Sequence, residues 1–169
     1  MRIKNISLQN LLFFAVLTLA LCGIIGCENG GDRNINNVSY NRIYLYKADP
    51  ETQTEEKSVY TGTLTVSLVV NGKDSIVVNH VSQFSELAVP MCYTQECDTL
   101  VFLYEQDERD TLFVEHTNTP FFIALDCGMG MFHNLKGLRY TNSFIDSAKI
   151  EYPLVDFDAH ENIKLYLAQ

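Results

Sequence analysis

The chain is 169 residues long, 47% hydrophobic, and carries 12 Lys and Arg against 21 Asp and Glu, a formal net charge of −9. That acidity excludes nucleic acid and anionic lipid head groups as partners, because both are held by clusters of Lys and Arg that neutralise phosphate. The length suits a single domain that buries roughly two thirds of the surface its unfolded chain exposes.

The N-terminus has Arg2 and Lys4, then an apolar run from Leu11 to Ile25, then Gly26-Cys27. Fifteen residues are too few to cross a hydrocarbon core of roughly 30 Å as a helix, and suit the apolar region of a signal peptide. Ile24-Ile25-Gly26-Cys27 resembles the lipobox of bacterial lipoproteins: the small Gly26 admits the peptidase, and the Cys27 sulfur takes the lipid. Leu21 is too bulky for Cys22 to serve as well. The reading divides the chain into a signal peptide (1–26), a lipidated tether (27–40) and one domain (41–169) in the cell envelope, anchored at the outer membrane. A secretory signal cut elsewhere, or an uncleaved anchor, would still place the domain outside the cytoplasm. Removing the first 26 of 169 residues leaves 143, and losing Arg2 and Lys4 leaves ten basic residues against 21 acidic ones, a charge near −11. Glu28 and Asp32 resemble, in part, the acidic export signal of Bacteroidota surface lipoproteins.

Residues Glu28 to Val38 are Gly-, Asn- and charge-rich and read as a flexible tether. Beyond Asn41 the chain turns to short β-branched and aromatic runs: Arg42–Lys47, Gly62–Val70, Ser75–Val81, Thr99–Tyr104, Thr111–His116, Phe121–Leu125, Gly130–Leu135, Ile145–Pro153 and Ile163–Leu167. Asn71-Gly72 between two alternating runs is the strongest hairpin signal, since both residues tolerate positive φ. Asp49–Lys57 reads as a polar loop, and Asp107, Glu108 and Asp110 as a charged hairpin tip. About eight or nine strands and no helix predict an all-β antiparallel sandwich, immunoglobulin-like in architecture. Tyr44, Tyr46, Phe102, Tyr104, Phe113, Phe121 and Phe122 are expected to fill its core.

Three cysteines remain after lipidation, Cys92, Cys97 and Cys127. An oxidising envelope permits a Cys92–Cys97 clip across a four-residue loop, with Cys97–Cys127 as rival. A catalytic alternative makes Cys127 a nucleophile with His116 or His133 as base, which would make the chain a Cys-dependent hydrolase. Asp156-Phe157-Asp158-Ala159-His160-Glu161 offers a weak cation constellation in Asp156, Asp158 and Glu161, with His160 on the same face as the two aspartates, against the alternative of a solvated turn. No phosphate loop, Gly-x-Ser-x-Gly elbow or His-Glu-x-x-His motif occurs in the sequence, and no cofactor is expected.

Asp110-Thr111-Leu112, Asn118-Thr119-Pro120-Phe121-Phe122-Ile123, Asp126-Cys127-Gly128, Phe132-His133-Asn134-Leu135 and the final Asn162-Ile163-Lys164-Leu165-Tyr166-Leu167 resemble a domain-of-unknown-function family of small Bacteroidota lipoproteins. The resemblance implies a β-sandwich lipoprotein and carries over no catalytic residue; the extra Cys92 and Cys97 depart from the family pattern. The expectation is a non-enzymatic envelope module that binds an envelope protein or a glycan, or an accessory subunit of an outer-membrane or polysaccharide-handling complex.

Overall fold

The computed structural model describes residues 38–48, 54–105, 108–124 and 128–168. They form eleven strands: β1 Tyr40–Ala48, β2 Glu55–Lys57, β3 Leu64–Val70, β4 Lys73–Val81, β5 Glu86–Pro90, β6 Cys97–Tyr104, β7 Arg109–Ala124, β8 Gly128–Tyr140, β9 Ile145–Ile150, β10 Leu154–Val155 and β11 Ile163–Leu167. Each expected run overlaps a strand. Thr111–His116 and Phe121–Ala124 are parts of one long β7, with Leu125 outside the described residues; the run Ile145–Pro153 supplies β9 and stops just short of β10, and β2 and β5 add to the expected set. Two sheets pack face to face as an all-β sandwich, one ordered β2-β1-β11-β9 with β5 also on β1, the other β10-β8-β7-β6-β3-β4.

Alternation builds the core. In β6, Asp98, Leu100, Phe102 and Tyr104 are buried while the residues between them are not, so one face of the strand turns inward. Leu112 and Val114 of β7, Val66 of β3, and Ile43, Ile163 and Leu165 of the facing sheet meet it, all fully buried. Each such side chain contributes about 1.5–3 kcal/mol on leaving water. Asn71 (φ 52°) and Gly72 (φ 74°) both take the positive φ expected of a tight hairpin between β3 and β4.

The sheets are not wholly antiparallel: β1 and β11 run parallel, Ile43 opposite Ile163 and Tyr46 opposite Tyr166. Asn162, buried, fixes this pairing. Its Oδ1 accepts the Arg42 N–H (3.0 Å), and its Nδ2 donates to the carbonyls of Tyr152 (3.1 Å) and Leu154 (2.9 Å). One amide thus ties the central strand pair to the segment that crosses from β9 to β10 in the other sheet.

The aromatic expectations need correction. Phe102 and Tyr104 are core, but Tyr44, Tyr46 and Phe113 lie on the outer faces, under Lys57 (4.0 Å), Lys164 (4.8 Å) and Arg139 (5.0 Å) respectively. Phe121 and Phe122 are 44% and 55% exposed. Asp110 is corrected as well: it is no solvated hairpin tip but fully buried.

Candidate binding site

The exposed phenylalanines belong to an arm. β6 pairs with β7 from Leu103 opposite Arg109 to Cys97 opposite Glu115, and β10 pairs with β8 only at His133 and Asn134. Beyond these, Thr117–Ala124 and Gly128–Phe132 continue as a two-stranded ribbon. Directly opposed residues share a face. Asn118 with His133, Pro120 with Met131, and Phe122 with Met129 continue the inner face set by Leu112, Val114 and His116. Phe121 opposes Gly130 on the outer face, where Phe121 stacks on Phe132 (4.6 Å between centroids) and Phe132 meets Phe157 (5.2 Å). Gly130 leaves room for this packing: a Cβ would lie 2.8 Å from Phe157 Cζ and 2.9 Å from Ile123 Cδ1, so the ends of those side chains would have to shift.

Because the inner face runs on past the closed core, it borders an open groove of about 350 Å³. Val38, Ser39, Met91, Tyr93, Pro120, Met129, Gly130, Met131 and His133 line it. Of the two hydroxyls in the lining, Ser39 Oγ donates to the Met131 carbonyl (2.5 Å) and that of Tyr93 sits on a side chain 68% exposed. Most of what remains to face a ligand is thioether, ring and methyl surface, the usual lining of a site for apolar matter.

A polar plug separates groove from core. Asn118 Nδ2 donates to the carbonyls of Tyr93 (3.1 Å) and Gln95 (2.8 Å), which turns its Oδ1 toward two histidines. That oxygen accepts from Nδ1–H of His116 (2.9 Å) and of His133 (2.7 Å), whose rings meet edge to face at 5.2 Å. Both rings are buried, and His116 Nε2 lies 3.5 Å from Asp98 Oδ2. Asp98 in turn accepts from the Cys92 N–H (3.1 Å) and Gln95 Nε2 (3.2 Å). The signal for this plug was present in the alternation Leu112, Val114, His116, Asn118, which places the last two on the inner face. From the sequence alone the two histidines stand out only as candidate bases for Cys127.

Burial, and secondarily the neighbouring His116, push the His133 pKa down from 6.5 to about 4, against the opposing pull of Asp98. The unfolded chain therefore binds a proton below pH 6.5 that the folded chain refuses until about pH 4. This contribution to stability is complete above pH 6.5 and is lost as pH falls toward 4. Across that window it amounts to about 3 kcal/mol at 1.36 kcal/mol per pKa unit. Urea unfolding at pH 7.0 and 4.5 should show this loss in the native sequence and a clearly smaller one in His133→Gln.

Cys92 and Cys97 are not bridged in this structure. Cys92 is buried, its N–H held by Asp98 and its Sγ 3.2 Å from Thr94 Oγ1. Cys97 precedes the inward Asp98 and so takes the opposite, outer face of β6, opposite Glu115. Burial raises its pKa. Cys127, and with it the Cys97–Cys127 pairing and the nucleophile reading, lies outside the described residues, as does Cys27.

The cation constellation also changes membership. Oxygens of Asp156 and Asp158 and a ring nitrogen of His160 lie within 4.8 Å of one another, but Glu161 is elsewhere, paired with Lys57 at 3.2 Å. Asp156 Oδ1 accepts the Asp158 N–H (2.9 Å), and His160 stacks on Tyr152 (4.2 Å). These contacts describe a self-capped polar turn.

The region from β3 through β11, which holds the arm, the plug, Asp110 and Asn162, coincides with a family model matched over residues 63–167 and described as a family of unknown function. The chain belongs to the DUF6452 family. No curated protein and no solved structure matches it. Within the DUF6452 match lie Met91, Tyr93 and every groove residue of the arm, whereas Val38, Ser39 and β1 precede it.

Proposed function

We propose that this DUF6452 chain is a lipid-anchored module of a bacterial cell envelope, held at the outer membrane through Cys27, that works by binding rather than by catalysis. The observation that carries the reading is the apolar groove continuous with the exposed inner face of the arm. Its walls include Met91, Met129, Met131, Pro120 and Tyr93, and behind it Asn118 engages Nδ1 of both His116 and His133. Such a surface suits contact with apolar matter and holds no activated nucleophile among the described residues. The lipobox-like Ile24-Ile25-Gly26-Cys27 supports the anchor, and the family resemblance supports a Bacteroidota source.

An alternative role as an accessory subunit would use an open sheet edge, and β4 offers one, with Ile76 62% exposed. That edge is guarded. Register shifts interrupt β3–β4 pairing, His80 and Gln83 take positive φ, and Lys73 and Asp74 sit at its start, all devices that discourage strand addition. The arm is therefore the preferred working surface.

Metabolic labelling with an alkyne fatty acid, followed by membrane flotation, tests the anchor. The native chain should take the label and float, and Cys27→Ala should do neither. Label retained by Cys27→Ala would overturn the assignment.

A further inference from the structure

We infer that the arm and its groove dock onto the bilayer that carries the lipid anchor, so that the domain lies against the membrane, arm end down, instead of swinging free on its tether. The inference rests on the anchoring reading above and names the partner of the same groove.

Three observations converge on it. The first is where the chain leaves the domain. Val38 and Ser39, the first described residues, are themselves walls of the groove. Ten residues separate Cys27 from Val38, at most about 40 Å of extended chain, so a lipidated Cys27 keeps this end of the sandwich close to the head groups. The second is charge. The chain carries −9 overall, yet Thr117–Ala124 and Gly128–Asn134 contain no Asp, Glu, Lys or Arg, and Asp126 is the one charged residue in the sequence from Thr117 to Asn134. The third is the kind of side chain exposed. Phe122 and Met129, each 55% exposed, oppose one another at the far end of the groove face, with Tyr93 and Val38 also exposed at its rim. Aromatic rings and thioethers without a charge partition into the boundary between head groups and acyl chains, and need no anionic lipid to do so.

The groove face is the side that meets the membrane. On the outer face the acidic turn Asp156–Asp158 flanks Phe157, which a bilayer would repel on desolvation. Tethering also removes the need for high affinity. A short flexible linker holds its surface at an effective concentration in the millimolar range, so a patch that would bind loose vesicles only weakly is docked for much of the time once anchored. The anchor's own acyl chain is a poorer occupant: it would cover the groove wall but leave Phe122, which is 55% exposed and does not line the groove, in water, whereas docking on the bilayer covers both.

The absence of tryptophan from the chain gives a clean test. Phe122→Trp supplies a single reporter at a side chain outside the core, and Ile76→Trp supplies a control on the β4 edge. Each lipidated protein is reconstituted into phosphatidylcholine vesicles with and without brominated acyl chains. At Phe122→Trp the emission should shift to the blue and lose at least half its intensity to the bromines, while Ile76→Trp should be unaffected. Flotation with the vesicles but no quenching at position 122 would overturn docking and leave the anchor standing. Failure to float would overturn both. A blue shift that grows with protein density and is not quenched would mean that a second copy covers the arm, and would overturn docking too.

Discussion

Replacing Asp110 with alanine is expected to destabilise the domain by about 4–5 kcal/mol, a thermal shift of roughly 15 °C or more for a domain of this size. The carboxylate is fully buried, yet four donors converge on it: Thr141 Oγ1 (2.6 Å) and the N–H groups of Ser143 (2.8 Å), Phe144 (2.6 Å) and Ile145 (2.9 Å). Burial by itself would raise its pKa, but these donors outweigh it and hold the group below the ordinary 3.8. It therefore stays ionised at neutral pH and acts as a staple between the start of β7 and the β8–β9 turn. Alanine leaves the three backbone donors without a partner, each costing about 1–3 kcal/mol where water cannot reach. Asp110→Asn keeps the shape but turns an amide N–H toward donors, and should cost about half as much. Because the folded pKa is depressed, the stabilisation persists above about pH 4 and disappears as pH falls through the folded value. Thermal melts followed by circular dichroism check both variants. A loss below about 1 kcal/mol for Asp110→Ala would show that the turn holds without the carboxylate.

Asn118→Ala should cost about 3 kcal/mol and open the groove inward. The native amide serves four partners at once, the Nδ1–H groups of His116 and His133 and the carbonyls of Tyr93 and Gln95. Water can replace it at the exposed Tyr93 carbonyl, while the buried histidines lose their shared acceptor. The expected signs are a lower urea midpoint and increased binding of an apolar dye to the native state. A lower midpoint without extra dye binding would show that the plug supports stability but does not bound the groove.

These two residues also mark where reading the sequence stopped short. Asp110 follows Asp107, Glu108 and Arg109, and such a run reads locally as a solvated turn. Its burial is due to residues 31 to 35 positions later, which no local pattern reveals. Phe121 and Phe122 read as core because their alternation with aliphatic neighbours is that of a half-buried strand. They are exposed because β6 and β10, which flank the β7–β8 pair, both end before the ribbon does. His116 and Asn118 were legible as inward-facing, but that they converge with His133 depends on the β7–β8 register, shifted by a bulge between Glu115 and His116. The short β5, Glu86–Pro90, carried too little alternation to stand out and is a strand chiefly because β1 pairs with it.

The sequence by itself determined the all-β class, the Asn71-Gly72 hairpin and the inward faces of β3, β6 and the first half of β7. Those follow from side-chain alternation and turn residues, properties of a few neighbouring positions. Only the tertiary structure decided that β1 and β11, about 120 residues apart, lie parallel under the Asn162 clamp, and that the β7–β8 ribbon outruns its neighbours to leave a groove. Strand partners and sheet ends are settled by which distant surfaces can be buried together, and that is a property of the whole chain.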